Sequence, residues 1–204
     1  MRPARRVLAP TALALLLLAC GSPATGAASG ELPDCEWCGA KEAPAELSWQ
    51  ARIAPPDEPG ERLVLEGTVY DADGETPAPG VVIYAYHTDA EGIYSKRGGE
   101  TGNGRRHGRL RAWVRTGEDG RYRFDTIRPA SYPDSTIAQH VHMTVLRPDG
   151  EEFWIDDVNF TDDPLLSERD RRDPPPGRGG SGVVTPRRDA DGVWHATRDV
   201  VLER

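Results

Sequence analysis

HVHMTV, residues 140–145, alternates imidazole or hydroxyl side chains with apolar ones at a period of two. That is the period of an extended strand, in which successive side chains leave on opposite faces. Val141, Met143 and Val145 fall on one face and can pack on a core, while His140, His142 and Thr144 fall on the other. The two imidazoles then stand about 7 Å apart at Cα, a reach suited to one metal ion. A His-x-His pair is weak evidence by itself, because solvent-facing or hydrogen-bonded histidines give the same pattern.

The same period recurs on both sides of this stretch. Leu63, Leu65 and Val69 alternate with more polar positions, and Tyr122 and Phe124 alternate with Arg121, Arg123 and Asp125. Strands are also expected in VVIYAYHT (81–88), LRAWVRT (110–116), QHVHMTVLR (139–147), EFWIDDVNF (152–160) and VWHATRDVVL (193–202). Asp-Gly at 73–74, 119–120, 149–150 and 191–192 lies mostly between such runs, where tight turns want φ > 0. The fold expected is all-β, an antiparallel β-sandwich with an immunoglobulin- or prealbumin-like core and long loops. The best helical candidate is a short piece at 164–172, and RRDPPPGRGGSGVVTPRR (171–188) reads as a mobile loop. DADGE at 71–75 and DADGV at 189–193 are turns, since the EF-hand position eleven residues after Asp71 is Val82 rather than a bidentate Glu. Gly-x-Ser-x-Gly, His-Glu-x-x-His and phosphate-binding glycine loops are missing, so hydrolase and nucleotide-binding readings have no foothold.

The chain opens MRPARRVLAPTALALLLLAC, a basic start followed by an apolar run too short to span a bilayer comfortably, which reads as an export signal over 1–19. Small residues before Cys20 resemble the lipobox of bacterial lipoproteins, which implies cleavage before Cys20 and lipidation of its thiol. Gly21 after it, rather than Asp, points by lipoprotein sorting rules to the outer membrane of a host that has one. An ordinary secretory signal is the alternative. Residues 20–60, rich in Ala, Pro, Gly and Glu, read as a lipidated tether, with the folded domain expected over 61–204. With Cys20 lipidated, Cys35 and Cys38 remain as an even pair in an oxidising compartment, where a local disulfide is expected. Lys and Arg number 25 against 33 Asp and Glu, a formal charge of −8, which argues against a nucleic-acid partner. The basic cluster Arg105–Arg111 is a local exception, read as a solvated loop or the rim of a site for an anion.

Two tyrosines stand apart from the rest. Tyr70, Tyr84, Tyr86 and Tyr122 lie within strands and read as packing residues with a polar tip. Tyr94, in Asp-Ala-Glu-Gly-Ile-Tyr-Ser (89–95), and Tyr132, between Ser131 and Pro133, sit in loops that follow strands and have no packing duty. The order of Leu65-Glu-Gly-Thr-Val-Tyr-Asp-Ala-Asp-Gly, Tyr94, Gly120-Arg-Tyr-Arg-Phe-Asp-Thr-Ile-Arg-Pro-Ala-Ser-Tyr132-Pro and His140-Val-His142 resembles the intradiol ring-cleavage dioxygenases, over about residues 62–165. The resemblance implies a mononuclear non-haem Fe(III) held by Tyr94, Tyr132, His140 and His142. Phenolate is a hard, strongly donating anion that suits ferric iron. It further implies a small aromatic diol and O2 as substrates and a muconate-type diacid as product. Tyr132, displaced by the diol, would be the catalytic base. Contact with the membrane is expected only through the N-terminal lipid, and a homo-oligomer is compatible with the pattern.

The chain departs from the family at two places. Ile137 stands where an arginine is usual, three residues before the first histidine, with Gln139, Arg128 or an arginine of 105–111 as candidates to replace it. The glutamine usual after His-x-His in the family is also replaced, near Asp157. His107 is a candidate pocket contact. GTVYDADGETPAPGV (67–81) also resembles carboxypeptidase-regulatory and transthyretin-like modules, which are non-catalytic, but such modules have no reason to place the four candidate ligands in this order.

Overall fold

Alternating Val, Ile, Tyr and Phe commit most of this chain to strands, and the glycines of the four Asp-Gly pairs (74, 120, 150 and 192) all take positive φ at the turns between them. The computed structural model describes Cys35 and residues 37–203. The expected signal over 1–19 and the expected lipidation at Cys20 lie outside the described residues. The strands are β1 (Gln50–Arg52), β2 (Arg62–Tyr70), β3 (Val82–Tyr86), β4 (Arg111–Arg115), β5 (Arg121–Ile127), β6 (His140–Leu146), β7 (Glu152–Phe160), β8 (Val183–Val184), β9 (Arg187–Arg188), β10 (Trp194–Thr197) and β11 (Val200–Val201). Two short helices, α1 (Gly104–His107) and α2 (Glu168–Arg172), complete the set with a 3-10 turn at Ala40–Glu42. No helix among the described residues is long and apolar enough to cross a membrane.

The strands form two sheets, β1-β5-β2-β10-β9 with β11 also on β2, and β4-β3-β6-β7-β8. Among the longer strands, pairing is antiparallel, and the short strands β1, β8, β10 and β11 join in parallel. The fold is therefore an all-β sandwich in which the short strands add parallel pairs. Leu63, Leu65 and Phe124 of one sheet pack on Ile83, Val141, Met143, Val145 and Phe153 of the other, all buried in one core. Each such side chain contributes roughly 1.5–3 kcal/mol on burial. The alternation that sends Val141, Met143 and Val145 inward leaves His140, His142 and Thr144 on the outer face of the second sheet.

That outer face is covered by sequence that reads as tether. Residues 37–60 fold back on the sandwich instead of hanging free of it. The Gly39 amide reaches Thr144 Oγ1 at 3.5 Å, Trp113 Nε1 donates to Gly39 O at 2.6 Å, and Lys41 N donates to Glu152 Oε1 at 2.9 Å. A Cβ on Gly39 would lie 2.4 Å from the Tyr84 ring, so this contact needs glycine. Ala40 and Ala54 are fully buried, and β1 extends the edge of β5. Single small apolar residues among prolines carry no period, which is why composition suggests a linker here. The loop expected over 171–188 likewise contains β8 and β9, and its Gly182 packs against the Asp157 backbone. VWHATRDVVL is two strands rather than one, broken at Arg198-Asp199, where the buried Arg198 turns inward.

Candidate metal centre

Tyr94 arrives on the loop after β3. Asp89 Oδ1 accepts from the amides of Glu91 and Ile93, each at 3.0 Å, and shapes a tight turn. Tyr132 arrives on the loop after β5. The two loops are tied together by Thr88 Oγ1 donating to Ala130 O at 2.7 Å and by Ala130 N donating to Asp89 O at 3.1 Å. Gly92 lies against Ser131 so closely that a Cβ there would sit 2.0 Å from Ser131 O. β6 supplies the imidazoles. His140 Nδ1 bonds to Ala138 O at 2.7 Å and His142 Nδ1 to Asp157 Oδ1 at 2.8 Å.

With both Nδ1 atoms acting as donors, both Nε2 lone pairs are left to face the phenol oxygens. Tyr94 Oη lies 2.6 Å from Tyr132 Oη and 2.8 Å from His142 Nε2. Tyr132 Oη lies 3.0 Å from His140 Nε2 and 3.4 Å from His142 Nε2, and the two Nε2 atoms are 3.1 Å apart. Two oxygen and two nitrogen donors from three separated segments thus share one point. Spacings near 3 Å suit the ligand edges around a first-row ion, whose bonds run about 2 Å. Burial pushes the Tyr94 phenol well above its ordinary range, with the Tyr132 hydrogen bond adding to it, and burial also raises Tyr132. A cation at the cluster would reverse this, because its charge favours both phenolates. Burial lowers the pKa of His140, which keeps it neutral and able to ligate. The donor set therefore fits a hard, high-charge ion.

His140, His142 and Asp157 also form a close trio of metal-binding types. Asp157 nevertheless occupies the far nitrogen of His142, so it orients that ring rather than joining the donor cluster. A β-bulge puts it there. The β6–β7 register shifts between Val141 and Met143, so two residues of β7 stand opposite His142.

The donors open onto a cleft of about 620 Å3 whose wall includes Tyr94, Tyr132, His142, Asp157, Tyr86 and His107. Tyr86, which the sequence suggested only packs, stacks on His142 at 4.6 Å between ring centroids and on His107 at 3.7 Å. His107, lowered to about 4 by burial, bonds through Nδ1 to Tyr84 Oη at 2.9 Å. Of the candidates to replace the missing arginine, Arg106 lines the cleft. Arg128 instead grips Asp162 at 2.7 and 2.9 Å and Gln139 at 3.1 Å, in a different depression. Arg109 is bound to Glu58. Ile137 is 53% exposed and absent from the cleft wall. Trp37 and Trp154 of the wall were not singled out by the sequence. Trp154 leaves a trace as an aromatic between the inward-facing Phe153 and Ile155, whereas nothing around Trp37 marks it.

A β-sandwich presenting two tyrosines and two histidines to one point on a sheet's outer face defines a candidate mononuclear metalloprotein. A family described as dioxygenase matches residues 40–171, and the chain belongs to this intradiol ring-cleavage dioxygenase family. It is 40% identical over 127 residues to catechol 1,2-dioxygenase 1 of Acinetobacter lwoffii, an overlap of 54% of this chain and 40% of that protein. It is 29% identical over 172 residues to hydroxyquinol 1,2-dioxygenase of Nocardioides simplex, covering 70% of this chain and 55% of that one. The chain thus spans about half, or less, of the length of these curated relatives. Among solved structures, the dioxygenase domain of a dioxygenase carbohydrate-binding protein fusion from Streptomyces sp. SirexAA-E superposes with a TM-score of 0.57 at 24% identity, covering 74% of this chain and 86% of that one. That likeness speaks for the fold.

Proposed function

We propose that the protein is a mononuclear non-haem Fe(III) intradiol dioxygenase that opens a catecholic ring between its two hydroxyl-bearing carbons. The observation that carries this reading is the convergence of Tyr94, Tyr132, His140 and His142, the four side chains proposed to hold the iron. Bound Fe(III) would supply an electron-poor centre for both diol oxygens and so make the ring reactive towards O2. In the overall reaction the carbon–carbon bond between the hydroxyls breaks and both atoms of O2 enter the diacid. The diol gives up the four electrons that O2 takes, so no further reductant is needed.

The protein side chains have separate tasks. Tyr132 would stand beside the bound diol and would take its second proton at Oη, a general-base contribution of about 10² to 10⁴. Asp157 keeps the His142 ring in the tautomer that presents Nε2. Tyr86 and His107 form an aromatic stack beside the diol. Arg106 brings a positive charge to the cleft wall. Export with lipid attachment at Cys20 is part of the same proposal, and the disulfide joining Cys35 and Cys38 suits an oxidising compartment.

The test is a visible spectrum of iron-reconstituted protein with and without catechol, together with O2 uptake and product analysis. A burgundy band from tyrosinate-to-iron charge transfer, a red shift on adding catechol and one O2 consumed per diol are expected. A colourless, iron-free product after reconstitution overturns the reading.

A further inference from the structure

A cavity of about 150 Å3 suffices for one benzene ring. The cleft over the donor cluster holds about 620 Å3, so a lone catechol leaves most of it unfilled. Strand register shows where the surplus lies. Thr144 follows His142 on the same face of β6 and pairs with Trp154 on β7. Trp154 is therefore one two-residue step, about 7 Å, farther along from the donors. Trp37 comes to the same place from the N-terminal segment, whose Gly39 amide is bonded to Thr144 Oγ1. Both indoles line the cleft and both are exposed, Trp37 by 53% and Trp154 by 42%. Large aromatic side chains left exposed in a cleft wall mark a surface for an apolar ligand.

Each indole is also held in place. The Arg106 guanidinium lies 4.2 Å from the Trp37 ring centroid and that of Arg178 lies 4.5 Å from the Trp154 ring. Trp37 sits inside the turn closed by the Cys35–Cys38 disulfide, and Asn103 Nδ2 bonds to Cys38 O. A surface held this way loses little freedom when a ligand lands on it.

We propose that Trp37 and Trp154 form a second subsite for a flat aromatic substituent, so that the preferred substrate is an aryl-extended ortho-diol rather than catechol itself. The proposal rests on the donor cluster being the diol site. The diol would sit at the donor cluster and the substituent ring would reach along the cleft to the two exposed indoles. One aromatic contact of this kind is worth about two- to tenfold in affinity.

Catechol and 4-phenylcatechol are titrated calorimetrically under argon into iron-loaded and iron-free protein, and their kcat/KM values are then measured in air. We expect 4-phenylcatechol to be favoured by about four- to a hundredfold, the product of two such contacts. Trp37→Ala and Trp154→Ala should each lower that preference by about two- to tenfold, and Trp154→Phe should restore most of it. Equal affinity for the two diols, or a preference unmoved by either alanine, overturns the subsite even if catechol is turned over. Failure of the iron band and of turnover of both diols would instead reject the proposed activity, and the affinity ratio of the iron-free protein would still decide the subsite.

Discussion

Asp157 Oδ1 lies 2.8 Å from His142 Nδ1, and the bulge of β7 opposite His142 is what brings it there. The carboxylate fixes the ring and makes Nε2 a better donor. Removing such a partner typically costs about 10- to 100-fold in metal affinity or activity. Asp157→Ala should fall in that range for iron in a chelator competition. Asp157→Asn, which keeps an oxygen acceptor, should lose less. If both variants hold iron like the parent protein, Asp157 does not orient the ring.

Tyr132 and Tyr94 should be distinguishable by spectrum and by proton release. Burial raises both phenols, so both are protonated in the iron-free protein at neutral pH. Loading one iron should release about two protons, measurable in weakly buffered solution, and affinity should rise with pH. Tyr132→Phe should keep three donors, shift or weaken the visible band, release about one proton and lower kcat by about 10² or more through loss of the base. Unchanged proton release in Tyr132→Phe would place Tyr132 outside the ligand set.

Much of this centre was legible in the sequence because strand alternation is a local signal. His140 and His142 had to share a face once Val141, Met143 and Val145 were inside, and the core contains all three of these residues. Tyr94 and Tyr132 stood out because they lie in loops outside the alternating strands, although Tyr94 also packs against the cluster of Val82, Tyr84 and Tyr86. Asp157 was visible only as a departure from the family, since its role depends on a bulge that no period encodes. The wall contributed by residues 37–42 was illegible for another reason. Its hold on the sheet comes from backbone groups of Gly39 and Lys41, which leave no trace in side-chain pattern. Arg128 was a reasonable substitute for the missing arginine by position, but Asp162 and Gln139 claim it.

Stability should fall in mild acid because of His87. It is 1% exposed, with Nδ1 at 2.6 Å from Thr88 O and Nε2 at 2.7 Å from Thr126 Oγ1, a bonding pattern that suits the neutral ring. Burial lowers its pKa from 6.5 to about 4. Above pH 6.5 neither folded nor unfolded chains protonate it, and stability is undiminished. Between 6.5 and about 4 the unfolded chain takes up the proton and the folded one does not, so stability falls as pH falls, by up to roughly 3 kcal/mol. His107, also lowered to about 4, acts in the same window. Denaturant melts from pH 7 to 4.5 should show this slope, and His87→Gln should remove part of it. An unaltered slope in that variant would assign the acid lability elsewhere.

Gly92→Ala should dismantle the centre while sparing the core. Gly92 has a φ of +79°, where an L-residue costs about 1–2 kcal/mol, and its new Cβ would lie 2.0 Å from Ser131 O and 2.9 Å from the Ser131 carbonyl carbon. Backbone cannot yield at such distances without moving, so the Tyr94 and Tyr132 loops must separate and the 2.6 Å approach of their hydroxyls must open. Gly74→Ala is the control, because Gly74 has a similar φ of +74° with nothing within 4 Å of its Cβ position. Both variants should lose a comparable amount of stability from backbone strain, with circular dichroism still reporting a β-rich fold. Only Gly92→Ala should also lose the visible band and at least about tenfold in iron affinity, the effect expected when the support of a metal ligand is removed. Equal iron binding in the two variants would mean that the contact between these loops does not set the spacing of the two phenols.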